Sequence, residues 1–495
     1  MRDQERRRIV LPENNVIDPA PAVSPVYAPR EKNRLYIKEG IRKLFSYPST
    51  YIFIVTFLVY ALIGIYGTLS YAISDYEGLS RISQAFAAIF GRDPHLSAIG
   101  YIWPPLPAVS DIPFVILLHP FDLDLISGTL MSAMYAAFAM TQLYSILGRF
   151  KVEKLWRIIW MILVGVQPLI LHNAALGMSE TPFIGFLLFS FNGYLIWRQE
   201  RRNSGIMMAA IGAWLAIYCR YEALAWTAVM AVGISWNWLF SRGKTSPEKL
   251  EADLLSFLVP PAYGFMFWVF LNWTIMGNPI YFLVGPGATA NTPDTAQTLG
   301  PDQLWYYAMN SISGSLRLLF TEISFVGPLL VVASLLLLLI MIAKKRWIDL
   351  DYILLGWSII MFTFLIGYRG YLPAFSRYFI WLIPGGVIVM GAVHLALEKK
   401  WQRMVINLLL VVCLAFPTYS QVSKKWDLIQ EPMPQKLLLS WIIAGEQQSV
   451  SYENASLAEM QMIANYLNAQ PANTITIVDH SISMSLALMV DHPKN

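Results

Sequence analysis

The sequence predicts an all-α polytopic membrane protein of about eleven transmembrane helices with a long first outer loop and a small α/β-like segment at its C-terminal end. Three observations carry that prediction. Of 495 residues, 56% are hydrophobic and 14% charged, with a mean hydropathy of +0.49, a balance outside the range of soluble globular chains. Apolar runs recur along the chain, and only helices and closed barrels satisfy such a backbone in lipid. Basic residues gather between alternate runs, as they do in loops held on the cytoplasmic side.

The elements follow in order. Residues 1–45 are rich in Arg and Pro and contain no apolar core, so they read as a cytoplasmic arm rather than a cleavable signal, and the first span acts as an uncleaved anchor. Spans are expected at 51–72, 125–147, 157–171, 181–197, 205–219, 223–240, 254–273, 321–343, 350–367, 378–396 and 403–418. The bundle thus occupies 46–418, and an outer segment fills 419–495. With the N-terminus inside, the arm and the predicted inner loops hold 26 of the 36 Lys and Arg residues, and every inner loop is basic. Topology therefore accounts for the net charge of +4 without a nucleic-acid partner.

The short 157–171 and 205–219 spans are candidates for broken helices lining a cavity. Two outer loops are long. The first, about 73–124, includes the apolar stretch Ile82–Phe90, suited to a helix on the membrane surface. The second, about 274–320, has a mobile Gly/Thr/Ala/Pro-rich section from Gly285 to Pro301. In the outer segment, Ser456–Gln470 has helical spacing and Thr474–Val478 is a β-rich run.

Chemistry is expected on the outer face. Asp75 and Glu77, with Tyr76 between them, follow the first span, where partial desolvation raises the basicity of a carboxylate. The alternative is that Asp75 caps the next helix. His172 and Asn173 lie near Glu180, which either serves a ligand or belongs to a cap before Pro182. Arg220 has Glu222 as a neighbour and potential partner, while Arg369 and Arg377 stand in another outer turn against the positive-inside trend. Guanidinium suits bidentate phosphate binding.

His95, His119, His394, His480 and His492 have no metal-ligand spacing, and no phosphate loop or dinucleotide fingerprint is present. Direct use of a cytoplasmic nucleotide is not indicated. Cys219 and Cys413, placed at helix ends, support neither a disulfide framework nor a cysteine metal site.

Six short motifs occur in order: Ser74-Asp75-Tyr76-Glu77, Gly100-Tyr101-Ile102-Trp103-Pro104-Pro105-Leu106, Asn173 to Glu180, Arg220-Tyr221-Glu222, Gly277-Asn278-Pro279-Ile280-Tyr281-Phe282, and Arg377-Tyr378. Over residues 50–400 they resemble the C-type (GT-C) polytopic glycosyltransferases, which include protein O-mannosyltransferases and the aminoarabinose transferase acting on lipid A. The resemblance implies a cell-envelope transferase that moves a sugar from a polyprenyl-phosphate donor to a hydroxyl acceptor on the outer face, inverting the anomeric carbon. It assigns the catalytic carboxylate to Asp75. Tyr76 interrupts the family's adjacent acidic pair, so the second acidic role falls to Glu77 or Glu180.

By the same resemblance, Arg377, Arg220 and Arg369 with Tyr378 would bind the donor phosphate, and Tyr101, Trp103, His172, Asn173 and Glu222 would line the substrate pocket. A divalent metal, Mg or Mn, on Asp75 and Glu180 is left open, since no third ligand is evident. The partners implied are the lipid-linked donor, a lipid, glycan or protein acceptor, and membrane lipids. Competing readings are a lipid-linked saccharide carrier or flippase, a surface polysaccharide polymerase or ligase, and a non-enzymatic scaffold. A carrier calls for related halves around a midplane site, whereas the polar residues here gather at one face.

Overall fold

The computed structural model describes residues 47–240, 246–286, 288, 308–370, 376–422, 438–445, 457–471 and 486–490. The N-terminal arm, the run at 474–478 and most of the 285–301 section lie outside the described residues. The described residues from Ser49 onward belong to one compact unit. No strand occurs among the described residues.

The described α-helices are α1 (Pro48–Tyr71), α2 (Tyr76–Phe90), α3 (Leu106–Leu118), α4 (Ser127–Arg149), α5 (Lys154–Gly165), α6 (Pro168–Ala175), α7 (Glu180–Glu200), α8 (Asn203–Ile217) and α9 (Ala223–Leu239). They continue as α10 (Pro247–Met276), α11 (Tyr281–Val284), α12 (Ile312–Val326), α13 (Leu329–Lys344), α14 (Leu350–Tyr368), α15 (Leu382–Ala396), α16 (Lys400–Val422), α17 (Leu438–Ala444) and α18 (Leu457–Asn468).

Six of these elements, built on α1, α4, α10, α14, α15 and α16, are long and apolar enough to cross a membrane. Two bent pairs raise the number to eight if each is one span: α5 with α6, bent by 71°, and α12 with α13, bent by 100°. Helices α8 and α9 are apolar but shorter. Length and composition therefore support six to eight spans among the described residues and do not confirm the expected eleven. The expected 157–171 span is broken where Pro168 opens α6, because proline cannot continue the hydrogen-bond ladder. The expected 205–219 span is the unbroken helix α8.

The spans divide by burial. In α15, 94% of the span window is buried, against 28% in α1 and 22% in α10, which places α15 inside the bundle and leaves α1 and α10 with wide apolar outer faces. Cys413 lies within α16 rather than at a helix end, because that helix continues to Val422; both cysteines are free and buried. The Ile82–Phe90 stretch is the second half of α2, and its Ile82, Ala85 and Phe86 pack on Val115 of α3.

The site is positioned by a close meeting of three glycines. A methyl group on Gly78 would stand 2.0 Å from the Leu176 carbonyl oxygen, and one on Gly177 would stand 3.2 Å from the Cα of Gly128 and 3.4 Å from that of Gly78. Gly177 also has a positive φ of 76°, which favours glycine. The start of α2, the start of α4 and the turn between α6 and α7 can therefore touch backbone to backbone.

Candidate active site

Asp75 is the N-cap of α2. It accepts a hydrogen bond from the Glu77 amide at 3.0 Å, so the capping role weighed from sequence is present. The same side chain is also tied to distant residues. Its Oδ2 lies 3.4 Å from His172 Nε2, and its Oδ1 lies 3.6 Å from a terminal nitrogen of Arg377. Burial pushes this carboxyl upward, but the His172 hydrogen bond and the Arg377 charge outweigh it and hold the group below its ordinary range.

Glu77, in the first turn of α2, is central to the charged cluster. One oxygen is 2.8 Å from Arg377, while the other accepts from Ser179 Oγ at 2.8 Å and lies 3.3 Å from Arg81. Burial again works against ionisation, yet the charges of Arg377, Arg81 and Arg220 prevail and keep Glu77 well below the usual carboxylate range. Arg81 also donates to the Pro104 carbonyl at 3.4 Å, which connects the aromatic/proline loop to the cluster.

Glu180, at the first position of α7 and 1% exposed, receives Arg220 at 2.6 Å and lies 3.6 Å from Arg377 Nε. Arg220 pairs in addition with Glu222 at 2.8 Å, confirming the local partner. Its guanidinium lies over the Tyr378 ring at 4.9 Å from the centroid, and that of Arg377 at 5.8 Å. Four carboxylates and three guanidiniums from separate parts of the chain thus share one cluster. Removing one member of such a buried network costs more than the intact pairing contributes, because it leaves its partners uncompensated.

A cavity of about 350 Å³ opens beside the cluster, within the ~300–1,000 Å³ range of small-molecule sites. Its polar lining is Glu77, Arg81, Ser179, Arg220 and Glu222, and its apolar lining includes Leu224, Phe265, Phe282, Leu283, Phe362 and Ile366. Trp103, Tyr221 and Tyr378 supply aromatic walls. Asp75 opens instead on a small cleft of about 10 Å³ with Thr68, Ser74 and Thr129, a space on the scale of one water.

Other residues singled out by sequence stand elsewhere. Tyr101 is buried and stacked on Trp268 at 5.2 Å. Asn173 is fully buried and donates to the Leu169 carbonyl of its own helix at 2.7 Å. Arg369 is exposed just after α14 and forms no ion pair with the cluster among the described residues. Ser179 immediately precedes α7, but its side chain makes no capping bond; its hydroxyl is turned to Glu77 instead.

Arg81 and Ser179 were not singled out as site residues from the sequence. Arg81 had a readable signal, since Glu77 and Arg81 are spaced i,i+4 on a helix that starts at Asp75. The cluster does not suit a divalent metal on Asp75 and Glu180. Arg377 stands 3.6 Å from each of them, and no group of three potential metal ligands occurs among the described residues.

Among solved structures, the chain is similar to an archaeal oligosaccharyltransferase, AglB from Archaeoglobus fulgidus, in complex with an inhibitory peptide and a dolichol-phosphate. The two share 13% sequence identity and a TM-score of 0.40, over 86% of this chain and 58% of that one. The chain thus spans less than two thirds of its neighbour's length, and likeness at this level carries no functional argument. No family model and no curated protein matches the chain.

Proposed function

We propose that this protein is a glycosyltransferase that takes a sugar from a polyprenyl-phosphate donor and transfers it to a hydroxyl acceptor on the outer face of the membrane. One observation supports the reading: part of a buried arginine–carboxylate cluster lines a cavity whose remaining walls are largely apolar and aromatic. A phosphosugar on an isoprenoid chain combines the same charged and greasy parts.

The chemistry follows from the groups present. Arg220 and Arg377 neutralise the donor phosphate as charge develops on it, and the Tyr378 ring lies against both. The acceptor oxygen forms a bond to the anomeric carbon as the bond from that carbon to the phosphate oxygen breaks. Asp75 faces a separate cleft the size of one water, so it takes the hydroxyl proton through a water held there, and polyprenyl phosphate leaves with the bonding electron pair. A single displacement inverts the anomeric carbon.

Arginines also provide coupling between donor and base. Glu77 is depressed by guanidinium charge, and Asp75 by the His172 hydrogen bond and then by Arg377, so a bound phosphate that shares those guanidiniums raises the basicity of both carboxylates. The base is then strongest when the donor is in place. The metal-bearing variant of the mechanism has no support from this ligand set.

The test is transfer from a polyprenyl-phosphate sugar by purified protein in lipid, with release of polyprenyl phosphate as the readout. Release with wild type and its loss in Asp75→Asn are expected. A carrier or scaffold would leave the donor intact, and full activity in Asp75→Asn would remove Asp75 as the base.

A further inference from the structure

His172 bridges the proposed base to a part of the chain that the reaction itself does not involve. Its ring is buried on α6, with Nε2 facing Asp75 Oδ2 at 3.4 Å and Nδ1 facing the backbone nitrogen of Leu438 at 3.2 Å. A backbone amide only donates, so Nδ1 must present a lone pair. In the neutral ring the proton then belongs on Nε2, which donates to Asp75. The tautomer follows from the identity of the neighbour rather than from an assumed hydrogen position.

The amide that sets this tautomer is itself firmly held. Leu438 opens α17 and is fully buried, in a cluster with Tyr60 of α1 and with Leu171 and Ala174 of α6. Its side chain sits over Gly67, where a methyl group would come within 2.5 Å of Leu438 Cδ1. The missing side chain at Gly67 therefore makes the socket, and Leu438 fills it.

We propose that His172 is a positioning residue, and that docking of the C-terminal segment through Leu438 fixes its tautomer and thereby orients the Asp75 carboxylate. Withdrawal of α17 would free Nδ1 to take the proton, turning a lone pair toward Asp75 and removing the hydrogen bond that aims it. The kinetic part of this proposal rests on the transferase reading; the tautomer does not.

Two readouts test it on the full chain in lipid. In protein labelled with 15N at histidine, one ring should show an unprotonated Nδ1 and a protonated Nε2, and His172→Gln should remove that pair of signals. Leu438→Pro deletes the amide hydrogen at a helix start that accepts proline, whereas Leu438→Ala keeps it. The proline variant should mix the tautomers and lower kcat about tenfold more than the alanine variant, with KM unchanged. His172→Gln, which retains an N–H for Asp75, should keep more activity than His172→Ala.

A protonated Nδ1 at His172 in the wild type overturns the proposal, as does identical behaviour of the proline and alanine variants in both readouts. Should Leu438→Pro not fold, the wild-type spectrum and the Gln and Ala pair decide. Should even the wild type transfer no sugar, the transferase reading fails while the tautomer signals still settle the His172 geometry.

Discussion

Helix α7 carries a buried guanidinium–carboxylate cluster at each end, and the two have opposite character. At its start, Glu180 joins Arg220 and Arg377 beside the 350 Å³ cavity. Near its finish, Arg198 is 3.0 Å from Asp349 and 2.8 Å from Asp351, with Tyr194 donating to Asp351 at 2.6 Å. The Tyr352 ring covers Arg198 at 4.2 Å, and its hydroxyl accepts a hydrogen bond from the same guanidinium. Similar charges therefore serve different ends. Where tyrosine rings fill the space, an ion-pair cluster clamps helices; where the packing leaves a cavity, the cluster faces open space.

The comparison breaks most sharply at Asp75. Its change to Asn should lower sugar transfer by about a hundredfold to ten-thousandfold, far more than the accompanying loss of stability accounts for, as measured by transfer per folded molecule and by unfolding. Next, Arg377→Gln should lower kcat about a hundredfold by removing charge from the leaving phosphate. It should also weaken donor binding, read by titration with the lipid-linked sugar.

The other end of α7 should respond in stability instead. Arg198→Met leaves the buried Asp351 without its guanidinium, while Asp349 keeps Arg346 at 2.9 Å, and should destabilise the protein by about 3–5 kcal/mol. Activity per folded molecule should stay within about twofold. A large kcat loss without destabilisation would merge the two ends into one functional system.

Acid titration sharpens the same contrast. Asp75 and Glu77 have folded pKa values depressed below their ordinary 3.8 and 4.5. Their contribution to stability is therefore fully present above those unfolded values and is lost as pH falls through the folded ones. Denaturation followed below about pH 4.5 should show a shallower acid limb in Glu77→Gln than in wild type. The smallest effect is expected from Arg369→Ala, a change at an exposed side chain that should leave transfer within about twofold.

Legibility from sequence varied by the type of interaction. The helix at Tyr76 was readable because Asp75 has a capping side chain and Glu77 and Arg81 lie one turn apart. The Arg220–Glu222 pair was readable because the partners are two residues apart. Contacts of Arg377 with Asp75 and Glu77 were not, since they join residues three hundred positions apart in the chain. Their only trace was an arginine on the side where the charge pattern disfavours one.

Ser179 shows the limit of local rules most directly. Its position just before a helix advertises a cap, yet the hydroxyl serves Glu77 of another helix. The expected count of eleven spans is not confirmed, for a related reason. A hydropathy run reports apolar length but not direction, and bends of 71° and 100° divide two of the expected spans.

The sequence alone determined that this is a helical membrane chain, because apolar length and backbone hydrogen bonding leave few other solutions. It also marked the loop after the first span as the place where carboxylates would have to be held in a partly apolar setting. Only the tertiary structure decided which charges meet, which carboxylate lines the cavity and which amide sets the His172 tautomer. Those outcomes depend on close approach between distant helices, allowed by glycines such as Gly67, Gly78, Gly128 and Gly177, and no local propensity encodes that proximity.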